Sequence, residues 1–157
     1  MKKTLALISM VLFAAIASAQ TSKEIYNKYS DKSGVSAVYV SPAMFKLMKV
    51  LPDINVKDGN VNITKMVQSL DGMYILNTEN SSVGDSIYKE VDRMVKAGKY
   101  EVLLESKENG EVARIYSVGK GDCITDLVLL TGEGKETSFI AISGKIDAED
   151  LAKLLKE

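Results

Sequence analysis

The chain has 157 residues, 46% of them apolar and 26% charged, with 20 basic against 21 acidic side chains and a formal charge of −1. That balance fits one globular domain and gives little electrostatic purchase on nucleic acid, which needs a surplus of Lys and Arg to displace counterions from phosphates. With no His and a single Cys, imidazole-based catalysis and thiolate or imidazole metal cages are excluded as well.

The first segment reads as an export leader. Lys2 and Lys3 form a positive start, Leu5 to Ile16 is apolar apart from Ser9, and Ala17-Ser18-Ala19 supplies the small residues of a signal-peptidase site. The apolar run is shorter than the ~20 residues a membrane helix needs. Residues 1–19 are therefore expected to be a cleaved signal peptide, and residues 20–157 a single domain beginning at Gln20, periplasmic or secreted. A lone thiol in an exported chain, Cys123, is expected to be a buried small hydrophobe within a strand.

The mature chain opens with a short helix capped by Ser22 and carrying Ile25, Tyr26 and Tyr29, followed by a β-branched strand from Val35 to Ser41. Pro42 opens a helix with Met44, Leu47, Met48 and Leu51 at helical spacing, which Pro52 stops. Asp53 to Asn62 reads as a loop. A second short helix with Ile63, Met66, Val67 and Leu70 on one side then turns at Asp71-Gly72 into a strand from Met73 to Asn77. The clearest helix runs from about Ser82 to Ala97. Val83, Ile87, Val91, Met94 and Val95 form its apolar stripe, with Lys89, Glu90, Asp92, Arg93 and Lys96 off it.

Four strands complete the chain. Tyr100, Val102 and Leu104 alternate with Glu101 and Glu105, and Asn109-Gly110 closes a two-residue hairpin into Val112 to Val118. Turns at Gly119-Lys120-Gly121 and at Gly132-Glu133-Gly134-Lys135 lead to strands Ile124 to Leu130 and Thr137 to Ser143. Asp147 caps a final helix with Leu151, Leu154 and Leu155 on its apolar face. The expected fold is α+β: a mixed, mainly antiparallel sheet with a C-terminal four-strand meander and helices packed mainly on one face. The other face is then open to a ligand or partner.

Several segments in this order carry a resemblance: Tyr26-Asn27-Lys28-Tyr29 before Gly34-Val35, Pro42-Ala43-Met44-Phe45, Asp126-Leu127-Val128-Leu129-Leu130 and Ile142-Ser143-Gly144-Lys145-Ile146-Asp147. Together they resemble a family of small exported Bacteroidetes proteins classified as a domain of unknown function. The resemblance implies compartment and fold, and an envelope-stress or regulatory setting, but transfers no functional residue. Many members look like lipoproteins with Cys directly after the signal, whereas this chain has Gln20 there.

Chemistry-bearing patterns are weak. Asp53 to Asn62 holds the residue types of a calcium loop, but Lys57 stands where an EF-hand needs Asp or Asn and Thr64 where it needs Glu, so a surface turn is expected. The Gly-rich turns sit between strands and lack the helix that a phosphate loop requires. The carboxylate pairs Glu101/Glu105 and Asp122/Asp126 fall four apart, each expected on one face of its strand. Asp85-Ser86-Ile87, Asn62-Ile63-Thr64 and Asn80-Ser81-Ser82 are formal glycosylation tripeptides. Seven Tyr beside no Trp make tyrosine the best contact residue. Tyr39, Tyr74, Tyr100 and Tyr116 are the candidate interaction surface.

The expected function is accordingly that of a noncatalytic envelope binding module. It takes an unknown envelope protein or a small apolar ligand on its sheet, with no cofactor, metal, nucleic acid or transmembrane span in the mature chain. A His-free carboxylate hydrolase and a structural or adhesive subunit are the alternatives.

Overall fold

A computed structural model describes residues 20–47, 63–132 and 136–154. The leader, Met48, Leu51, the calcium-like loop from Asp53 to Asn62, most of the Gly132 to Lys135 turn and Leu155 lie outside the described residues. In chain order the elements are α1 (Ser22–Tyr29), β1 (Val35–Val40), α2 (Pro42–Leu47), α3 (Ile63–Gln68), β2 (Leu70–Thr78), α4 (Ser81–Ala97), β3 (Glu101–Glu108), β4 (Glu111–Lys120), β5 (Cys123–Thr131), β6 (Thr137–Asp147) and α5 (Ala148–Leu154). The strands form a six-stranded sheet in the order β1-β2-β6-β5-β4-β3, and each of these pairings is antiparallel. The C-terminal meander, β3 to β6, is as expected, and the α+β class holds.

The two longer helices, α1 and α4, cover one face. On α4 the buried positions Gly84, Ile87, Val91 and Met94 recur at helical spacing. They pack with Ile25 and Tyr29 of α1 over Leu76, Phe139, Val128 and Leu130 of the sheet. The shorter helices α2, α3 and α5 sit on the other face at one end of the strands. There Phe45, Met66, Val67 and Leu151 gather around Leu70, Met73, Leu127, Ile142 and Ile146.

Local chemistry sets the boundaries. Thr21, not Ser22, caps α1: its hydroxyl accepts from the Glu24 N–H, and the Glu24 carboxylate accepts from the Thr21 N–H, closing a capping box. Ser22 lies inside the helix and is buried. Asn80 caps α4 by accepting from the N–H groups of Ser82 and Val83, and Asp147 caps α5 from the end of β6. Asn109 and Gly110 both take positive φ, 51° and 83°, as the two-residue hairpin requires.

Bulges account for the main departures from simple alternation. Leu70 and Gly72 belong to strand β2 and flank a register shift, where the sequence suggests the end of a helix and a turn. Another shift lies between Val102 and Leu104, and β3, the edge strand, is exposed along its whole length rather than half-buried. Cys123, at the start of β5, is only partly buried. Glu90, off the apolar stripe by spacing, is nevertheless buried.

Gly84 marks the close approach of α4 to β6: a Cβ there would stand 2.3 Å from the hydroxyl oxygen of buried Thr137. In an open helix Gly→Ala stabilises by about 1 kcal/mol. At this contact the sign should reverse, with Gly84→Ala costing about 1–3 kcal/mol through overpacking. Denaturant unfolding checks this against exposed Asp85→Ala, which should change little. A more stable Gly84→Ala protein would show that the contact is loose.

Candidate functional site

Residues paired directly across an antiparallel sheet share a face, so the register defines rows that run across all six strands. On the face opposite α1 and α4, one row reads Val38, Ile75, Ile140, Leu129, Ile115 and Leu104. All six are aliphatic, and none belongs to either buried cluster. The ends of the row, Val38 and Leu104, are 46% and 48% exposed, and the four residues between them are partly buried.

The flanking rows on this face differ. On one side lie Val40, Met73, Ile142 and Leu127, which pack in the cluster with α2, α3 and α5. On the other side lie Ser36, Asn77, Ser138, Thr131, Ala113 and Ser106, a row that is polar except for Ala113. The result is an apolar stripe with a helical wall on one side and a hydrophilic border on the other. The sequence carries its signal in the apolar doublets Ile75-Leu76, Leu129-Leu130 and Phe139-Ile140. In each doublet one residue enters the core and its neighbour necessarily faces the other way.

The candidate tyrosines occupy the helix-covered face. Tyr39, Tyr74 and Tyr116 fall in one row there, with Ala141 and Val128 between Tyr74 and Tyr116. Tyr74 and Tyr116 are buried, while Tyr39 is 46% exposed. The Tyr39 and Tyr74 rings stack at 5.2 Å, and Tyr26 of α1 lies against both at 6.1 and 5.5 Å. The register thus brings Tyr39 and Tyr74 together, with Tyr116 on the same face two strands beyond β6 and Tyr100 in a different setting.

Tyr100 donates its hydroxyl to Asp126. Burial, reinforced by this hydrogen bond and the carboxylate charge, pushes the phenol well above its ordinary pKa. Asp126 is itself buried. Its Oδ2 also accepts from Ser22 Oγ at 2.8 Å, and its Oδ1 accepts from Ser143 Oγ at 2.8 Å. Three hydroxyls from α1, β6 and the segment entering β3 therefore converge on one carboxylate of β5. The sequence signal for this node is a lone charge in the inward register of Val128 and Leu130. A second buried carboxylate, Glu90, accepts from Lys28 and faces Arg93 at 3.6 Å. The Lys28 hydrogen bond holds it below the usual carboxylate range against the opposing effect of burial, assisted by the Gln20 side chain.

The carboxylate pairs do not converge. The bulge in β3 places Glu101 opposite Ser117 and Glu105 opposite Arg114, on opposite faces, where unbroken alternation would put them on one. Glu105 is held by Arg114 at 2.7 Å and Lys107 at 3.1 Å. Asp122 is an exposed turn residue, whereas Asp126 is buried in the hydroxyl node. Among the described residues, no group of three or more Cys, Asp and Glu side chains is placed to hold a metal ion.

Removing the Asp126 carboxylate would take this acceptor from the Tyr100 and Ser143 hydroxyls and leave Ser22 Oγ with only Met94 Sδ at 3.6 Å; a buried donor without a partner costs about 1–3 kcal/mol. Asp126→Ala should therefore destabilise the fold by about 3 kcal/mol, and Asp126→Asn by less, because one acceptor oxygen remains. Denaturant midpoints check both. A loss below about 0.5 kcal/mol for Asp126→Ala would place those hydroxyls in contact with solvent.

Among the described residues, no helix is long and apolar enough to cross a membrane. No curated protein and no solved structure matches the chain. The family profile described as Domain of unknown function (DUF4252) matches residues 29–154, from the last residue of α1 to the last residue of α5. The chain belongs to this family.

Proposed function

We propose that this protein is an exported, noncatalytic binding module of the cell envelope, whose working surface is the apolar row Val38, Ile75, Ile140, Leu129, Ile115 and Leu104. The carrying observation is that this row crosses the whole sheet without joining either buried cluster. A partly exposed aliphatic stripe with a mainly polar border has the anatomy of a protein interface, an apolar centre and a hydrophilic rim.

The shape favours a protein partner over a small apolar ligand. Small molecules bind in concave sites that bury most of their surface. Four cavities of about 350 to 540 Å³ indent the protein elsewhere, lined by residues other than these six. Six strands about 4.8 Å apart make the row about 24 Å long. At 1.5 Å per residue, that length matches an amphipathic helix of about 16 residues laid across the strands. The partner is accordingly a protein presenting an apolar helical face.

Export rests on the leader pattern of Lys2, Lys3, Leu5 to Ile16 and Ala17-Ser18-Ala19. The Thr21 cap stands two residues beyond Ala19, so cleavage there leaves α1 whole.

Photo-crosslinking in the native host tests both parts of the reading. A crosslinker at Leu104 should capture an envelope protein, and the recovered chain should begin at Gln20. Val38→Lys should reduce capture at least tenfold while leaving the unfolding midpoint nearly unchanged, because Val38 lies outside the core. Equal capture by Val38→Lys, or crosslinks only at an exposed site on the helical face such as Asp92, would contradict the assignment.

A further inference from the structure

A groove of about 440 Å³ lies between α1 and α4 on the face opposite the apolar row. Its lining includes four cations, Lys28, Lys32, Lys89 and Arg93, against one carboxylate, Glu90. The whole chain carries a formal charge of −1, so positive charge is segregated here. Glu90 is buried and already engaged by Lys28 and Arg93. Among the described residues, Lys32 and Lys89 face no carboxylate within ion-pair distance. Like charges held around one concavity repel one another, and an anionic surface relieves that repulsion.

The position of the groove selects the surface. Helix α1, which lines the groove through Lys28 and Tyr29, begins at Ser22, three residues beyond Ala19 of the predicted cleavage site. The apolar stretch of the leader ends at Ile16, four residues before Gln20. Four residues span at most about 14 Å when fully extended. Until cleavage after Ala19, a folded domain tethered by that stretch therefore has α1 and its groove near the headgroups.

We propose that the α1/α4 groove is an anionic-headgroup contact that seats the domain against the phosphate-bearing surface of a bilayer, leaving the apolar row on the far side for its protein partner. The orientation rests on the export reading, whereas the binding chemistry belongs to the groove. Near an anionic membrane each Lys or Arg strengthens binding about fivefold. Lys32 and Lys89 can be changed without disturbing the Glu90 ion pairs.

Co-sedimentation of the full chain with phosphatidylglycerol and phosphatidylcholine vesicles at 0.1 M salt tests the proposal. Lys32→Ala with Lys89→Ala should weaken partitioning onto phosphatidylglycerol about 25-fold and leave phosphatidylcholine partitioning unchanged. Lys32→Arg with Lys89→Arg should restore it. The leader contributes equally to all three proteins, so their differences report the groove, and unfolding midpoints confirm that each is folded. Equal partitioning of the alanine variant on phosphatidylglycerol would overturn the proposal. So would saturable binding of inorganic phosphate without preference for anionic vesicles, which would assign the groove to a small anion. If the chain from the native host does not begin at Gln20 while the vesicle result holds, the export reading fails and the groove assignment stands.

Discussion

The structure depends on how Ile87, Val91 and Met94 of α4 pack against Leu76, Phe139 and Val128 of the sheet. A 17-residue helix, joined by α1, closes most of one face. Among the described residues, the helices on the other face are of six or seven residues and gather at one end of the strands. Burial of a Val, Leu or Ile side chain contributes about 1.5–3 kcal/mol. The six aliphatic residues of the row beyond those short helices realise only part of it. An aliphatic row left outside the core is the feature that most needs a functional explanation, and a partner supplies one.

Two buried carboxylates fix how the covering helices sit. Asp126 ties Ser22 of α1 to Ser143 of β6 and to Tyr100, while Glu90 ties α4 to Lys28 of α1. Both are hydrogen-bonded, as a polar group removed from water must be if its burial is to cost little. They differ in their surroundings. The Asp126 node is occupied by the protein's own hydroxyls, whereas the Glu90 pair lies in a groove that also carries Lys32 and Lys89.

Much of this architecture was legible in the sequence because period and turn chemistry act locally. The α4 stripe, the Asn109-Gly110 hairpin, the Asp147 cap and the four-strand meander each follow from neighbouring residues. The bulges were not legible in the same way. An extra residue at Leu103 moves Glu101 and Glu105 to opposite faces, and the irregularity at Leu70 and Gly72 converts an apparent helix end and turn into strand. Such shifts depend on the partner strand, which sequence spacing does not specify. The tyrosines illustrate the same point. Their composition suggested an amphipathic surface, but cross-strand register puts Tyr74 and Tyr116 beneath the helices and turns aliphatic residues to the opposite face.

Solvent access to the methyl groups of the row tests the central claim most directly. In a methyl-labelled sample, a water-soluble paramagnetic agent should enhance relaxation at Ile75, Ile115, Leu129 and Ile140 toward the level of exposed Leu104, while Leu76, Val128 and Leu130 stay protected. Uniform protection of the four central row methyls at the level of Leu76 would contradict the account, because it would make them core residues with no surface to offer a partner.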